Sequence, residues 1–250
     1  GIQELAAMGA TLAGGHTIEG PNVTIGYTVL AEQPANSLRA KGKLREGDVL
    51  ILTKPLGIGV LLAAHMQGRC KAAWYGPLVE TMLQSNAPAA ALFDNAGVAA
   101  ATDITGFGLA GHLLEMLRPS NLAAEIWLNS IPLLPGASHL FREGLNSTIA
   151  EANRRVLEEM EETASHPVLF DPQTCGGLLA AVSGESAPEL VSRLQEQGIA
   201  AAVIGRVTQH SADRKRLRVV PHEPHAPLTD ARSPTPQSSS ASHPSAAARG

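Results

Sequence analysis

The chain has 250 residues, of which 44% are hydrophobic and 17% charged, and its formal net charge is −4. That composition suits a soluble globular protein with a sizeable core and excludes a mostly disordered one. Aromatics at 3% and the absence of a global basic field argue against a nucleic-acid partner, and no apolar run reaches the roughly 18 residues of a membrane-spanning helix.

Taken in chain order, 3–13 reads as a helix with Leu5, Met8 and Leu12 on one face. Such a helix needs something to pack against. The chain is therefore expected to be the C-terminal part of a longer protein, and its first residues lack the layout of a signal peptide. Val23–Ala31 is β-branched and reads as a strand. Residues 33–45 are unpatterned and read as a loop, with a domain boundary within 32–47. DVLILT at 48–53 predicts a short strand covered on both faces. Helices follow over 57–67, 77–84 and 87–99, the last with Asn86 and Pro88 as cap and first-turn residues. A strand at 99–103, a tight turn at Gly106–Gly108, a helix at 109–117 and a strand at 123–128 come next. Helices at 135–142 and 149–162 precede a strand at 178–182, a helix at 188–197 and a strand at 200–204. Gly198 sits where a C-terminal capping glycine belongs. The alternation predicts an α/β to α+β fold with short connections.

Two terminal features stand apart. Arg214, Lys215, Arg216 and Arg218 form a basic cluster that reads as a solvated edge strand. Residues 221–250 hold six Pro, six Ser and six Ala against one large aliphatic residue, Leu228, and predict a disordered tail. The irregular spacing of His222, His225 and His243 does not make a metal tract.

Four segments place glycine and polar side chains at element ends, where α/β proteins hold ligands. Gly14-Gly15-His16-Thr17 is either a plain turn or a cradle of backbone donors for an anion. Lys54-Pro55-Leu56-Gly57-Ile58-Gly59 runs from strand to helix. Its helix N-terminus offers an anion site, and the plain alternative is a βα turn with Lys54 on the surface. Asp103, in TDITGFGLAGH, closes a strand before a glycine-rich turn. It is a candidate Mg²⁺ ligand or a capping residue, with His112 as a core histidine bonded to backbone. Asp171-Pro172-Gln173-Thr174-Cys175-Gly176-Gly177 is a rigid turn into a strand. No base neighbours Cys175 in the sequence, and with Cys70 it makes too few cysteines for a disulfide framework or a paired-cysteine zinc site.

In order and spacing, GGHTIEGP, LTKPLGIGVL, ATDITGFGLAGHLLEM, IPLLPG and LFDPQTCGGLLAAV, followed by GI…VIGRV, resemble selenophosphate synthetase (selenide, water dikinase) over about residues 2–207. The resemblance implies an aminoimidazole ribonucleotide synthetase-like fold. It places the end of an ATP-binding, dimerising domain at 1–35, a C-terminal α+β domain at 36–210, and a basic segment and tail at 211–250. It implies selenophosphate synthesis from selenide, ATP and water with release of AMP and phosphate, Mg²⁺ as cofactor, a homodimer with a shared nucleotide site, and a cytoplasmic location. Asp103 matches the family's Mg²⁺ aspartate, and Gly14, Gly15, His16 and Thr17 match a nucleotide-binding stretch. The family's reactive Cys or selenocysteine and its partner Lys are expected upstream of Gly1, so the chain alone is expected to be inactive. Cys175 stands where relatives often have Ser, and Glu19 where Asp is expected in many. The alternatives are another ATP-dependent enzyme of the same superfamily and a non-catalytic dimerising remnant.

Overall fold

The computed structural model describes residues 2–32, 40–161 and 166–222. The predicted loop at 33–45 falls partly, and the tail at 221–250 almost wholly, outside the described residues.

The described chain builds a six-stranded mixed sheet: β1 (Val49–Leu52), β2 (Ala100–Asp103), β3 (Leu122–Trp127), β4 (Leu178–Val182), β5 (Ala202–Gln209) and β6 (Leu217–Val220). Their spatial order is β2-β4-β1-β5-β3-β6, antiparallel except for the parallel β3–β6 pair. The helices are α1 (Ile2–Ala7), α2 (Ile58–Met66), α3 (Ala72–Leu83), α4 (Ala87–Asn95), α5 (Gly108–Ser120), α6 (Ala137–Arg142), α7 (Thr148–Asn153) and α8 (Ala187–Glu196).

Helices cover both faces of the sheet, which is why β1 is an unbroken apolar run rather than an alternating one. Leu50 and Leu52 enter a large core with Ile58 and Leu61 of α2, Leu113 and Leu117 of α5, and Leu140 of α6. Ile51 points the other way, into a smaller core with Leu92 and Phe93 of α4 and Leu190 and Leu194 of α8. The pleat alternates the side chains and the two helix layers receive them.

Gly205 marks where the sheet is tightest. A Cβ there would lie 2.2 Å from the carbonyl oxygen of Glu125 on β3. Gly205→Ala is expected to destabilise the protein by about 1–3 kcal/mol through forced backbone displacement, read from the denaturant midpoint.

Several boundaries differ from expectation. α1 ends at Ala7, and Val23–Ala31 forms no strand. Val23, Ile25, Tyr27 and Val29 are instead exposed on a segment without regular structure. A period-2 pattern makes a strand only when a neighbour accepts its hydrogen bonds. α3 starts at Ala72 and carries Pro77 inside it, five residues earlier than a helix opened by that proline. α4 ends at Asn95, where Gly97 takes a positive φ of 65°. The predicted 149–162 helix is α7 followed by a 3₁₀ turn, Arg154–Glu159. Carboxylates crowding the end of that stretch oppose the helix dipole, which disfavours continuing the α-helix. β5 extends to Gln209, and β6 is an edge strand, as the basic cluster suggested.

Candidate functional site

The convergence of three motifs follows from strand order. β4 lies between β2 and β1 and runs antiparallel to both. Its entry segment, 171–177, therefore meets the C-terminal ends of both neighbours. The Ile104 N–H donates to the Gly177 carbonyl at 2.8 Å, and the Thr53 N–H to the Leu178 carbonyl at 3.0 Å. The Leu178 N–H returns to the Thr53 hydroxyl at 2.8 Å. The glycines permit this closeness: a Cβ on Gly176 would lie 2.0 Å from the Ile104 oxygen, and one on Gly177 2.6 Å from the Lys54 nitrogen.

Lys54 is 2% exposed rather than on the surface. Its Nζ donates to the carbonyls of Gln84 at 2.6 Å and Cys175 at 2.9 Å. Burial holds the amine below its ordinary pKa, against the attraction of Cys175. Lys54 thus ties the β1 end to the α3–α4 corner and to the β4 entry. Lys54→Met would leave two carbonyls without a donor and is expected to cost about 2 kcal/mol in unfolding free energy, read by chemical denaturation.

The N-terminus of α2 is already occupied by protein. Gln173 Oε1 accepts from the N–H groups of Gly57 and Ile58 at 3.3 and 3.2 Å, and Asp171 Oδ2 accepts from Gly59 at 3.1 Å. Gln173 Nε2 donates to the same Oδ2 at 2.9 Å. The expected anion site at this helix start is therefore filled by a carboxylate and an amide from 112 to 116 residues downstream. Asp171 is 1% exposed and its Oδ1 has no partner. Burial pushes its carboxyl pKa up to about 7, against the lowering effect of its hydrogen bonds to Gln173, Gly59 and Val60.

Asp103 ends β2 with its side chain exposed, and its carboxylate makes no hydrogen bond or ion pair among the described residues. It does not cap α5, whose N-cap position is Phe107. The turn behind it is firmly held. Ile104 is fully buried, the Thr105 carbonyl accepts from the Gln173 N–H at 3.0 Å, and the Thr105 hydroxyl lies 3.1 Å from His112 Nε2. His112 is 5% exposed, and its hydrogen bond is to the Thr105 side chain, not to backbone as expected. Its Nδ1 faces Glu115 at 3.3 Å, and Glu115 in turn pairs with Lys41 at 2.6 Å. Burial lowers the His112 pKa, while Glu115 and Asp103 pull it up. The turn thus presents to solvent a carboxylate that makes no hydrogen bond among the described residues. A single aspartate fits one oxygen position of a hard cation such as Mg²⁺, which keeps waters and substrate oxygens in its other positions. No group of three or more His, Cys, Asp and Glu side chains suited to a metal occurs among the described residues.

Beside this turn lies a cavity of about 530 Å³, lined by Gly59, Leu62 and Met66 of α2, Gly106, Ile149 and Gln173. Sequence reasoning missed its 146–149 wall. Gly14, Gly15, His16 and Thr17 are exposed, and no hydrogen bond or ion pair ties them to the Asp103 turn among the described residues. A Cβ on Gly14 or Gly15 would meet nothing within 4 Å, and neither has a positive φ. Cys175 is exposed with φ 54°, and among the described residues its sulfur makes no hydrogen bond. The basic cluster is largely paired: Arg218 with Glu125 and Glu161, and Arg216 with the Leu122 carbonyl.

The chain is 40% identical over 215 residues to a selenide, water dikinase of Caldanaerobacter subterraneus subsp. tengcongensis, covering 84% of this chain and 62% of that protein. Those of Shewanella sp. (strain MR-7) and Clostridioides difficile (strain 630) are 39% and 36% identical over 208 and 214 residues, covering 82% and 83% of this chain and 59% and 62% of those proteins. The chain thus spans about three-fifths of the length of these relatives. Among solved structures, the fold is similar to thiamine-monophosphate kinase from Stenotrophomonas maltophilia K279a, with TM-score 0.53 and 19% identity over 73% of this chain and 52% of that one. It is also similar to HypE of E. coli, a hydrogenase maturation protein, with TM-score 0.54 and 21% identity over 72% and 48%. Residues 45–218 match the family described as AIR synthase related protein, C-terminal domain, and the chain belongs to that family.

Proposed function

We propose that these residues form the C-terminal part of an enzyme that makes selenophosphate from selenide, ATP and water, releasing AMP and phosphate. The observation that carries the reading is the 36–40% identity to proteins named selenide, water dikinase over more than four-fifths of this chain. Asp103 is the proposed Mg²⁺ ligand. Bound there, Mg²⁺ would neutralise phosphate charge and let a carboxylate and phosphates share one site. The chain's own part is positional: the Gly177–Ile104 bond, the Gln173–Thr105 bond and the His112 ring hold the Asp103 turn against the β4 entry.

Gly14, Gly15, His16 and Thr17 are the proposed nucleotide-binding stretch. Neither packing nor backbone conformation explains the glycines at 14 and 15, which supports a ligand approaching the backbone there. The exposed stripe Val23, Ile25, Tyr27 and Val29 supports a homodimer in which it pairs with further strand. The domain division at 1–35, 36–210 and 211–250 and a cytoplasmic location belong to the same proposal. No helix among the described residues is long and apolar enough to cross a membrane.

The test is the nucleotide product. The protein carrying these residues is incubated with ATP, Mg²⁺ and selenide, and nucleotides are separated by chromatography. AMP that appears only with selenide supports the reading. ADP independent of selenide would favour another ATP-dependent enzyme of the superfamily, and no turnover a dimerising remnant.

A further inference from the structure

Beyond that reading, we propose a second, separate ligand site at the β3–β5–β6 end of the sheet: a pocket for a small dianionic oxyanion, a phosphoryl group free or as a monoester. Asp103 lies on β2 at one edge of the sheet and Arg218 on β6 at the other, five strand spacings or roughly 24 Å apart. The two sites do not overlap.

The pocket is a cavity of about 310 Å³ between β3, β5 and the β5–β6 connection. Arg206, Arg214, Lys215 and Arg218 line it against two carboxylates, Glu125 and Glu161, so its walls carry two more positive charges than negative. The arrangement is built rather than scattered. Glu125 is 4% exposed, and Trp127 Nε1 donates to its Oε1 at 3.2 Å. It holds Arg206 at 3.4 Å and Arg218 at 3.2 Å, and Glu161 holds Arg218 at 3.5 Å. One buried carboxylate thereby fixes two guanidinium groups side by side, each about half exposed. Lys215 is anchored by the Glu158 carbonyl.

Arg214 is the least tethered of the cations. Its guanidinium makes no hydrogen bond among the described residues; the neighbouring Asp213 carboxylate accepts from the Ser211 hydroxyl and is also attracted by the Arg214 charge. Thr208 lines the same cavity. Pre-placed guanidinium forks on a wall with more cations than carboxylates match a phosphate dianion, whose oxygens take charge-assisted bonds from several donors. The small volume and the chain's net charge of −4 favour a small ligand over a nucleic-acid backbone.

The test uses the 250-residue chain and inorganic phosphate, titrated calorimetrically at low ionic strength. Arg214→Ala/Lys215→Ala is the variant, because it leaves the Glu125 pairs intact; its thermal midpoint is measured alongside. Saturable phosphate binding at one equivalent, weakened at least about tenfold in the variant with the midpoint unchanged, is the expected result. Asp103→Asn should bind phosphate like the unaltered chain, which separates this site from the proposed catalytic one. Absence of saturable binding, or equal affinity in the variant, would overturn the proposal. So would an RNA oligonucleotide that binds through the same residues much more tightly than phosphate.

Discussion

Asp103→Asn, made in the enzyme proposed above, is expected to lower Mg²⁺-dependent turnover about a hundred-fold or more. Loss of one preorganised electrostatic contact costs roughly 2.7–4 kcal/mol in transition-state stabilisation. The amide keeps the shape of the carboxylate and removes its charge. Stability should be untouched, since the Asp103 side chain is exposed, makes no hydrogen bond among the described residues and caps no helix. That last point sharpens the test. A capping aspartate would tolerate Asn and suffer from Ala, whereas here Asp103→Ala should also leave the thermal midpoint in place while turnover falls. Turnover against Mg²⁺ concentration for both variants is the readout. Wild-type kinetics in Asp103→Asn would remove the metal assignment.

The second large effect concerns Asp171 and is a dependence on pH. Its carboxyl is buried at the start of α2 and its folded-state pKa is pushed up to about 7 from 3.8. The folded protein therefore holds this proton at pH values where the unfolded chain has released it. Stability from this group is fully present below about pH 4 and is lost as pH rises from 4 to 7, at up to about 1.4 kcal/mol per pH unit. Asp171→Asn cannot ionise. It keeps one oxygen to accept from Gly59 and Gln173, so relative to the unaltered chain its stability should gain steadily from pH 4 to 7 and exceed it at pH 8. Urea midpoints at pH 4, 5, 6, 7 and 8 measure this. Parallel curves for the two proteins would show that the carboxyl titrates normally.

The same residue illustrates what the sequence conceals. DPQTCGG is legible as a rigid turn, and its glycines do permit a close approach. Its work at the α2 N-terminus is not legible, because Gly59 and Asp171 are 112 residues apart in sequence. Nothing local in Thr53–Gly59 says that its helix start will be capped from elsewhere, and so it reads as an open anion site or a plain βα turn. Lys54 is misplaced for a similar reason: lysines are rarely buried, and the carbonyls of Gln84 and Cys175 that accept from it come from distant segments.

Local patterns with local causes fare better. VLIL reads as a doubly covered strand, and Ile51 and its neighbours Leu50 and Leu52 do enter opposite cores. The helix at 188–197 is within one residue of α8, closed by Gly198 at φ 73°. Val23–Ala31 fails as a strand because pairing is a property of two segments and the pattern describes one. The turn bearing Asp103 is legible in its chemistry, a carboxylate at a strand end before glycines. The groups that hold it still, Gly177, Gln173 and His112, emerge only when β4 is placed between β1 and β2.

If these residues belong to a selenophosphate-forming enzyme, a phosphorus NMR spectrum will show its product. The full protein is given ATP, Mg²⁺ and selenide under anaerobic conditions. A new resonance with selenium coupling is expected, growing in step with AMP and inorganic phosphate in equal amounts, and suppressed in Asp103→Asn. A spectrum in which ATP is consumed without any phosphorus–selenium species, or is unchanged by selenide, would contradict it.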